Sequence, residues 1–402
     1  MSPKQSILTL NGGSSSIRFA CYSLDGDSPA RWASGKLDGI GGIHQQLIFH
    51  DLLEQLPREL ALPPGTTLLD WIDKELSLDS IAAVGHRVVH GMHRTGPEVV
   101  TEQLLDDLRK YSLFDPEHLP REIDLMSVLQ QRNAKLLQVA CFDTAFHREM
   151  PRVARMLPLP RRFEAQGIER YGFHGLSYTF LMQELARVAG VPVANGRVIL
   201  AHLGNGASMA ALHDGKCIDT SMGFTPAGGL PMGTRAGDLD AGLSAYLLRS
   251  GGLSTDEFSR LVHLESGLLG VSETSSDMRD LLRAQSSDVR AAEAVDLFCY
   301  HARKWIGAFA ATLGGLDTLV FAGGIGENSP EVRTRICAGL GFLGVDLDET
   351  KNAGNAAIIS STEACCCVRM IRTDEESVIA NIVFDMLKNR KEATLNGRME
   401  KS

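Results

Sequence analysis

The chain has no apolar run near the ~20 residues that a membrane-spanning helix needs. Its first residues, MSPKQSILTL, show neither the long apolar core nor the small-residue cleavage site of a secretory signal. A cytoplasmic protein with no membrane partner is therefore expected. Positive charge is in deficit: 40 Lys and Arg against 49 Asp and Glu leave a net charge of −9. Phosphate backbones are held mainly by clustered Lys and Arg, so a nucleic-acid partner is not expected either. The eight cysteines include no C-x-x-C pair and no Cys/His grouping with zinc-ligand spacing. Cys365, Cys366 and Cys367 cannot all face one side of a strand, and they read as small residues kept reduced in a cytoplasm. Two nucleotide signatures are missing as well. There is no G-x-x-x-x-G-K-[ST] loop, and GGIGEN (323–328) lacks the spacing and the following acid of a dinucleotide fingerprint.

What is present is an ordinary soluble composition, 44% apolar and 22% charged, over 402 residues, enough for two domains with separate cores. The stretch ILTLNGGSSSIRFACYSLDGD (7–27) runs from apolar residues through six small donor-rich ones into an alternating segment. That is strand, turn, strand, and the turn is either a plain hairpin or a cradle of amides and hydroxyls for an anion. RVILAHLGNGASMAALHDGK (197–216) repeats the pattern, down to a following Asp-Gly turn, and suggests a duplicated domain. TLVFAGGIGENSPEV (318–332) adds a third buried strand entering a Gly-rich turn, with Ser329 and Pro330 placed to start a helix. Three such turns favour phosphate binding over plain turns. SIAAVGHRVVHGM (80–92) and LLQVACFDTAFH (136–147) are further buried strands of an α/β sheet covered by helices. Helices are predicted over 101–111, 120–132, 177–188, 238–249, 291–313 and 375–389, with a polar tail after Met386 expected to fray.

These stretches resemble one family, the acetate kinases, within the superfamily of acetate and sugar kinases, heat-shock chaperones and actin. The resemblance is carried in order by NGGSSSIR (11–18), GHRVVHG (85–91), FDTAFH (142–147), RYGFHG (170–175), HLGNGAS (202–208), SMGFTPAGGLPMGTRAGD (221–238), DMR (277–279) and GGIGENS (323–329). It implies an α/β protein of two RNase-H-like (actin-like ATPase) domains with the active site in the cleft between them. Residues 1–146 would form the first, with a C-terminal helix over 376–402 packing back on it, and 147–375 the second. It also implies a homodimer that moves the γ-phosphoryl group of ATP to acetate, reversibly, giving ADP and acetyl phosphate with Mg²⁺ or Mn²⁺. A related kinase for propionate, butyrate or a hydroxy acid is the alternative. A chaperone-like ATPase fits less well, having no use for the arginines and histidine that follow.

A carboxylate is ionised at neutral pH and needs no base to become a nucleophile; the difficulty is charge, an anion attacking a polyanion. Guanidinium groups suit that need. By resemblance Arg87 grips the substrate carboxylate, Arg235 the transferring phosphoryl, and His174 donates to its oxygens. Asp143 is the active-site acid, here expected to orient rather than to take a proton. Val89, Phe173 and Pro226 would wall the pocket for the methyl group, with His118 near the substrate. Arg18, His202, Leu203, Gly204, Asn205 and Gly206 would meet the nucleotide, as would Asp277, Met278 and Arg279. Gly324, Ile325, Gly326, Glu327 and Asn328 complete that set, and Asn11 and Glu375 would hold the metal. Four positions depart from the family pattern: Arg18 for Lys, Asp374 for Asn beside the metal carboxylate, Ala236 for Ser, and Glu117 where an apolar pocket residue is usual. Glu117 is expected to turn outward and pair with a base such as Arg121.

Overall fold

A computed structural model of the chain describes residues 5–13, 16–39, 45–52, 56–63 and 66–399. Two serines of the first turn, Ser14 and Ser15, lie outside the described residues. The chain divides into two compact units, one running to Ala145 and resuming at Asp374, the other spanning Phe146–Thr373.

The first unit is built on a sheet of eight strands: β1 (Ser6–Gly12), β2 (Ser16–Ser23), β3 (Ala30–Asp38), β4 (Gln46–Asp51), β5 (Arg58–Ala61), β6 (Ile81–Val88), β7 (Glu98–Val99) and β8 (Leu137–Phe142). Their spatial order is β5-β4-β3-β2-β1-β6-β8-β7. Strands β1 to β5 pair antiparallel, β6 lies parallel to β1, and β8 parallel to β6. The second unit has five strands: β9 (Val198–Leu203), β10 (Ala207–His213), β11 (Lys216–Thr220), β12 (Thr318–Ala322) and β13 (Cys367–Met370). Their order is β11-β10-β9-β12-β13, with β9, β10 and β11 antiparallel and β9, β12 and β13 parallel. That order and direction repeat β3-β2-β1-β6-β8. The duplication suggested by the two Asn/Gly/Ser turns thus extends to the whole central sheet of each unit.

The first sheet is covered on both faces. Leu8, Leu10, Phe19 and Val84 pack with Leu69 and Ile72 of the helix Leu68–Leu76. The C-terminal helix Glu375–Met399 lies against β1 and β6. It approaches so closely that a Cβ on Gly85 would stand 2.3 Å from Ile379 Cγ2, closer than packed carbons come, so β6 admits only glycine there. In the second unit Val198, Leu200 and Val320 pack on Tyr178, Leu181 and Leu185 of the helix Gly175–Ala189.

Two elements differ from the sequence expectation. The tail does not fray at Met386: the helix continues to Met399. The segment LKNRKEATLNGRM has no apolar stripe but is rich in Leu, Lys, Arg, Glu and Ala, all good helix formers. And GGIGEN is not an open turn but a short helix, Gly323–Asn328. Ser329 does precede the next helix, Pro330–Cys337, yet its side chain makes no capping hydrogen bond. All eight cysteines are free; Cys367 opens β13, while Cys365 and Cys366 precede it.

Candidate active site

The chemistry-bearing residues fall into two constellations, one in each unit. In the first, the parallel strands β1, β6 and β8 end together, and each contributes at its end. Arg87 on β6 sends Nε and Nη2 to Oδ2 of Asp143, at 3.0 and 2.6 Å. Its Nη1 donates to Asn11 Oδ1 and to the Gly12 carbonyl, both at 3.3 Å. Asp143, just past β8, is wholly buried, and the Arg87 side chain is 14% exposed. Burial alone would weaken the guanidinium's hold on its proton. Asp143, with Glu375, more than reverses that and holds Arg87 above its usual value. A buried charge pair of this kind fixes the arginine's planar fork before any ligand arrives.

The same cluster joins Asn11 to the C-terminal helix: Asn11 Nδ2 donates to Glu375 Oε2 at 2.8 Å and to Glu376 Oε1 at 3.1 Å. Burial, then the Glu375 charge, pushes Glu376 above the usual carboxylate range. Asn11 and Glu375 each carry an oxygen donor, although here the amide nitrogen of Asn11 faces Glu375 and its oxygen accepts from Arg87. That set fits a hard divalent ion that keeps most of its coordination for water and phosphate. Asp374, whose added charge departs from the family pattern, forms a bidentate ion pair with Arg31 on β3. Its charge is therefore met locally rather than added to Glu375. Nothing near Asp374 in the sequence announces this partner, 343 positions away.

Val89, just past β6, is buried and donates its amide to Glu122 Oε2 at 3.0 Å. His118, buried at the start of the helix Leu119–Arg132, bonds through Nδ1 to Asp115 Oδ1 at 2.9 Å. A cavity of about 510 Å³ opens here, and Gly12, Arg87, His118 and Glu122 form part of its wall. Glu117 is half-buried and does not line that cavity. Its expected ion pair with Arg121 is not formed: among the described residues no hydrogen bond or salt bridge joins the two. Arg18, on β2 opposite Asn11, is exposed.

In the second unit, His174 caps the helix Gly175–Ala189 with a left-handed backbone, φ 58°. Its Nδ1 lies 2.8 Å from Ser208 Oγ, which also bonds Tyr178 Oη. The ring stacks on that of His202 with centroids 4.3 Å apart. His202, on β9, is fixed in turn through Nδ1 to Ser177 Oγ at 2.8 Å, and Ser177 reaches Thr373 Oγ1 at 2.8 Å. Arg235, between β11 and the helix Ala241–Arg249, donates from Nη1 to the Pro226 carbonyl at 3.2 Å. Gly206 shows how these side chains converge: a Cβ there would lie 3.3 Å from His174 Nε2 and 3.7 Å from Arg235 Nη1. Phe173 is buried, and its carbonyl is 2.9 Å from Nε2 of His147. Burial pushes His147 down to about 4, so at neutral pH it is an uncharged ring that supports the neighbour of His174.

The turn Gly204–Asn205–Gly206 follows Leu203 at the end of β9, and the helix Gly323–Asn328 follows the adjacent strand β12. The two meet, the Gly324 amide standing 3.7 Å from where a Cβ on Gly204 would be. Ile325 and Gly326 lie within that helix, and Asn328 Nδ2 closes it on the Gly324 carbonyl at 3.0 Å. Glu327 Oε1 accepts from the amides of Gly323 at 2.9 Å and Thr373 at 3.1 Å, a bracing task rather than a free carboxylate. Asp277 caps the helix Met278–Ala284 and pairs with Arg279, while Met278 is buried. Among the described residues neither Asp277 nor Arg279 hydrogen-bonds to the other two motifs.

Sequence reasoning missed Arg31, Glu122, Ser177, Ser208 and Glu376. Glu376 carried a local signal in its place beside Glu375, and Ser208 in closing the HLGNGAS motif.

The chain matches the model of the acetokinase family over residues 6–381. It is 43% identical over 392 residues to the acetate kinase of Rhodopseudomonas palustris (strain TIE-1), covering 94% of this chain and 97% of that protein. To the acetate kinase of Methylocella silvestris it is 40% identical over 399 residues, covering 95% and 98%. Among solved structures it resembles Porphyromonas gingivalis acetate kinase at TM-score 0.83 and 32% identity, covering 94% of this chain and 99% of that one. A propionate kinase from Francisella tularensis gives TM-score 0.86 and 33% identity, covering 94% and 98%.

Proposed function

The chain belongs to the acetokinase family, and from that premise we propose that it is an acetate kinase that moves the γ-phosphoryl group of ATP to acetate in one direct, reversible, in-line step. Its fold is the two-domain, actin-like ATPase fold of that family. The observation that carries the mechanism is the division of positive and donor groups: a preset buried guanidinium in one unit, a convergent histidine and arginine in the other.

Arg87 takes the acetate carboxylate. Asp143 holds Arg87 in place and accepts no proton from a substrate that has none to give. Val89, Phe173 and Pro226 wall the methyl pocket and His118 lies near the substrate. Arg235 neutralises charge growing on the transferring group. With the Ser208 hydroxyl donating to His174 Nδ1, the ring proton sits on Nε2, which would donate to a phosphoryl oxygen. The segments 202–206, 277–279 and 324–328 bind the nucleotide, with Arg18 near its phosphates. Asn11 and Glu375 would hold Mg²⁺ or Mn²⁺, which when bound offsets phosphate charge. Glu375→Gln is expected to raise the Mg²⁺ concentration for half-maximal rate more than it changes the KM for acetate. Titrating Mg²⁺ at saturating acetate measures this, and an unchanged dependence moves the metal elsewhere. The working unit is a cytoplasmic homodimer acting on small molecules; the net charge of −9 supports the absence of nucleic acid. No described helix is long and apolar enough to cross a membrane.

Acyl hydroxamate formation from acetate, propionate, butyrate and glycolate with Mg-ATP tests the substrate. Acetate should show the highest kcat/KM and propionate the next; glycolate ahead of acetate would contradict the reading. Glu117 bears on the same point. Facing a bound carboxylate at ~6 Å it would cost roughly 3 kcal/mol at an effective dielectric constant of 20. With Glu117 turned outward as expected, Glu117→Leu should change the acetate KM by no more than a few-fold. A drop of a hundredfold would place its carboxylate at the substrate.

A further inference from the structure

Glu122 is a buried carboxyl beside Arg87 to which the reaction above gives no task. It sits in the first turn of the helix Leu119–Arg132 and is 6% exposed. One oxygen, Oε2, accepts the Val89 amide at 3.0 Å. The other, Oε1, is buried and has no hydrogen-bond partner among the described residues. The side chain belongs to the cavity wall that Arg87 and His118 also form. Its Cγ lies 4.0 Å from where a Cβ on Gly12 would be, beneath the turn that follows Asn11. A helix residue serving only as a brace has no reason to keep a buried oxygen unmet, because such an orphan is costly. A bound ligand that supplies the partner removes the cost.

We infer that Glu122 is a substrate-binding residue: Oε2 fixes the Val89 backbone, while Oε1 hydrogen-bonds the carboxylate held by Arg87. The inference rests on the assignment of Arg87 to the substrate carboxylate. Two anions would repel, so the inference requires a neutral carboxyl, and its surroundings favour that form. Burial holds it well above the usual carboxylate range; Asp115 and Asp143 push the same way, against Arg87 and the Val89 amide. Other charged or titratable groups nearby are His86, His118, Arg121, Asp124 and Arg132 of the cavity wall and Glu375, which acts on Arg87. Because Oε2 already faces an N–H, the proton belongs on Oε1, which then donates into the cavity. A carboxylic acid kept protonated by an apolar site is an effective donor to an anionic ligand.

The test compares the full-length wild type with Glu122→Gln and Glu122→Leu by ADP release with Mg-ATP and acetate, from neutral to alkaline pH. Wild-type KM for acetate should rise on the alkaline side as the carboxyl ionises. Glu122→Gln keeps a neutral donor and an acceptor for Val89, so its KM should stay within about threefold of wild type at neutral pH and lose the alkaline rise. Glu122→Leu should raise the acetate KM about tenfold or more, with kcat and the ATP KM changed less. A leucine variant with wild-type acetate KM overturns the inference, as does an alkaline rise shared by wild type and Glu122→Gln. If the leucine variant does not fold, the two pH profiles decide alone. A wild type that makes no ADP in response to acetate sinks the kinase reading and this inference with it; an active wild type with indifferent variants sinks only the inference.

Discussion

Arg87→Ala is expected to lower kcat by ~10²–10³, the usual cost of losing a preorganised donor to the reacting group. It should also weaken the fold. The guanidinium is 14% exposed and faces a carboxylate that is wholly buried, so the substitution breaks a buried charge pair. Removing one partner of such a pair typically costs about 3–5 kcal/mol. The structure ties activity and stability together at this residue. Steady-state kinetics and a thermal melt on one preparation check both halves. A variant with more than about a tenth of wild-type kcat denies Arg87 its role, on the scale set by donor deletions. A variant with unchanged Tm denies the pair its structural weight.

Arg235→Ala should give a comparable loss of kcat, ~10²–10³. The hydrogen bond from Nη1 to the Pro226 carbonyl is a neutral-acceptor contact on a partly buried side chain. Arg235→Lys is a sharper version: the charge stays but the planar fork goes, so a substantial part of the loss should remain. Full recovery by lysine would mean that charge alone is needed there. ADP-release kinetics at saturating acetate, beside the melt, separate these outcomes.

How much of this was legible in the sequence depends on distance along the chain. The strands β1, β6, β8, β9 and β12 were readable because each is a short buried run ending in polar or glycine-rich residues. The helices over Leu119–Arg132 and Val289–Leu313 were readable from apolar spacing. The C-terminal helix was cut short because an absent apolar stripe was taken as absent helix, although its Lys, Arg, Glu and Ala favour one. The glycines of Gly323–Asn328 pointed to a turn, but packing after β12 wound them into a helix. The site failed to show wherever partners come from far apart. Arg31 meets Asp374, and Asn11 meets Glu376, across more than three hundred positions. Glu122 drew no notice in the sequence, since nothing local reveals that it lies beside Gly12 and accepts the Val89 amide. Glu117 and Arg121, four apart on paper, pair in the sequence and not in the fold.

The central claim is that phosphoryl transfer waits on a carboxylate acceptor. The most direct measurement is ADP release at saturating Mg-ATP as acetate is titrated from zero, with acetyl phosphate trapped as its hydroxamate. The account predicts negligible ADP without acetate, a saturable rise with it, and one hydroxamate formed per ADP. ADP released at the same rate with and without acetate, or ADP with no hydroxamate, would contradict it.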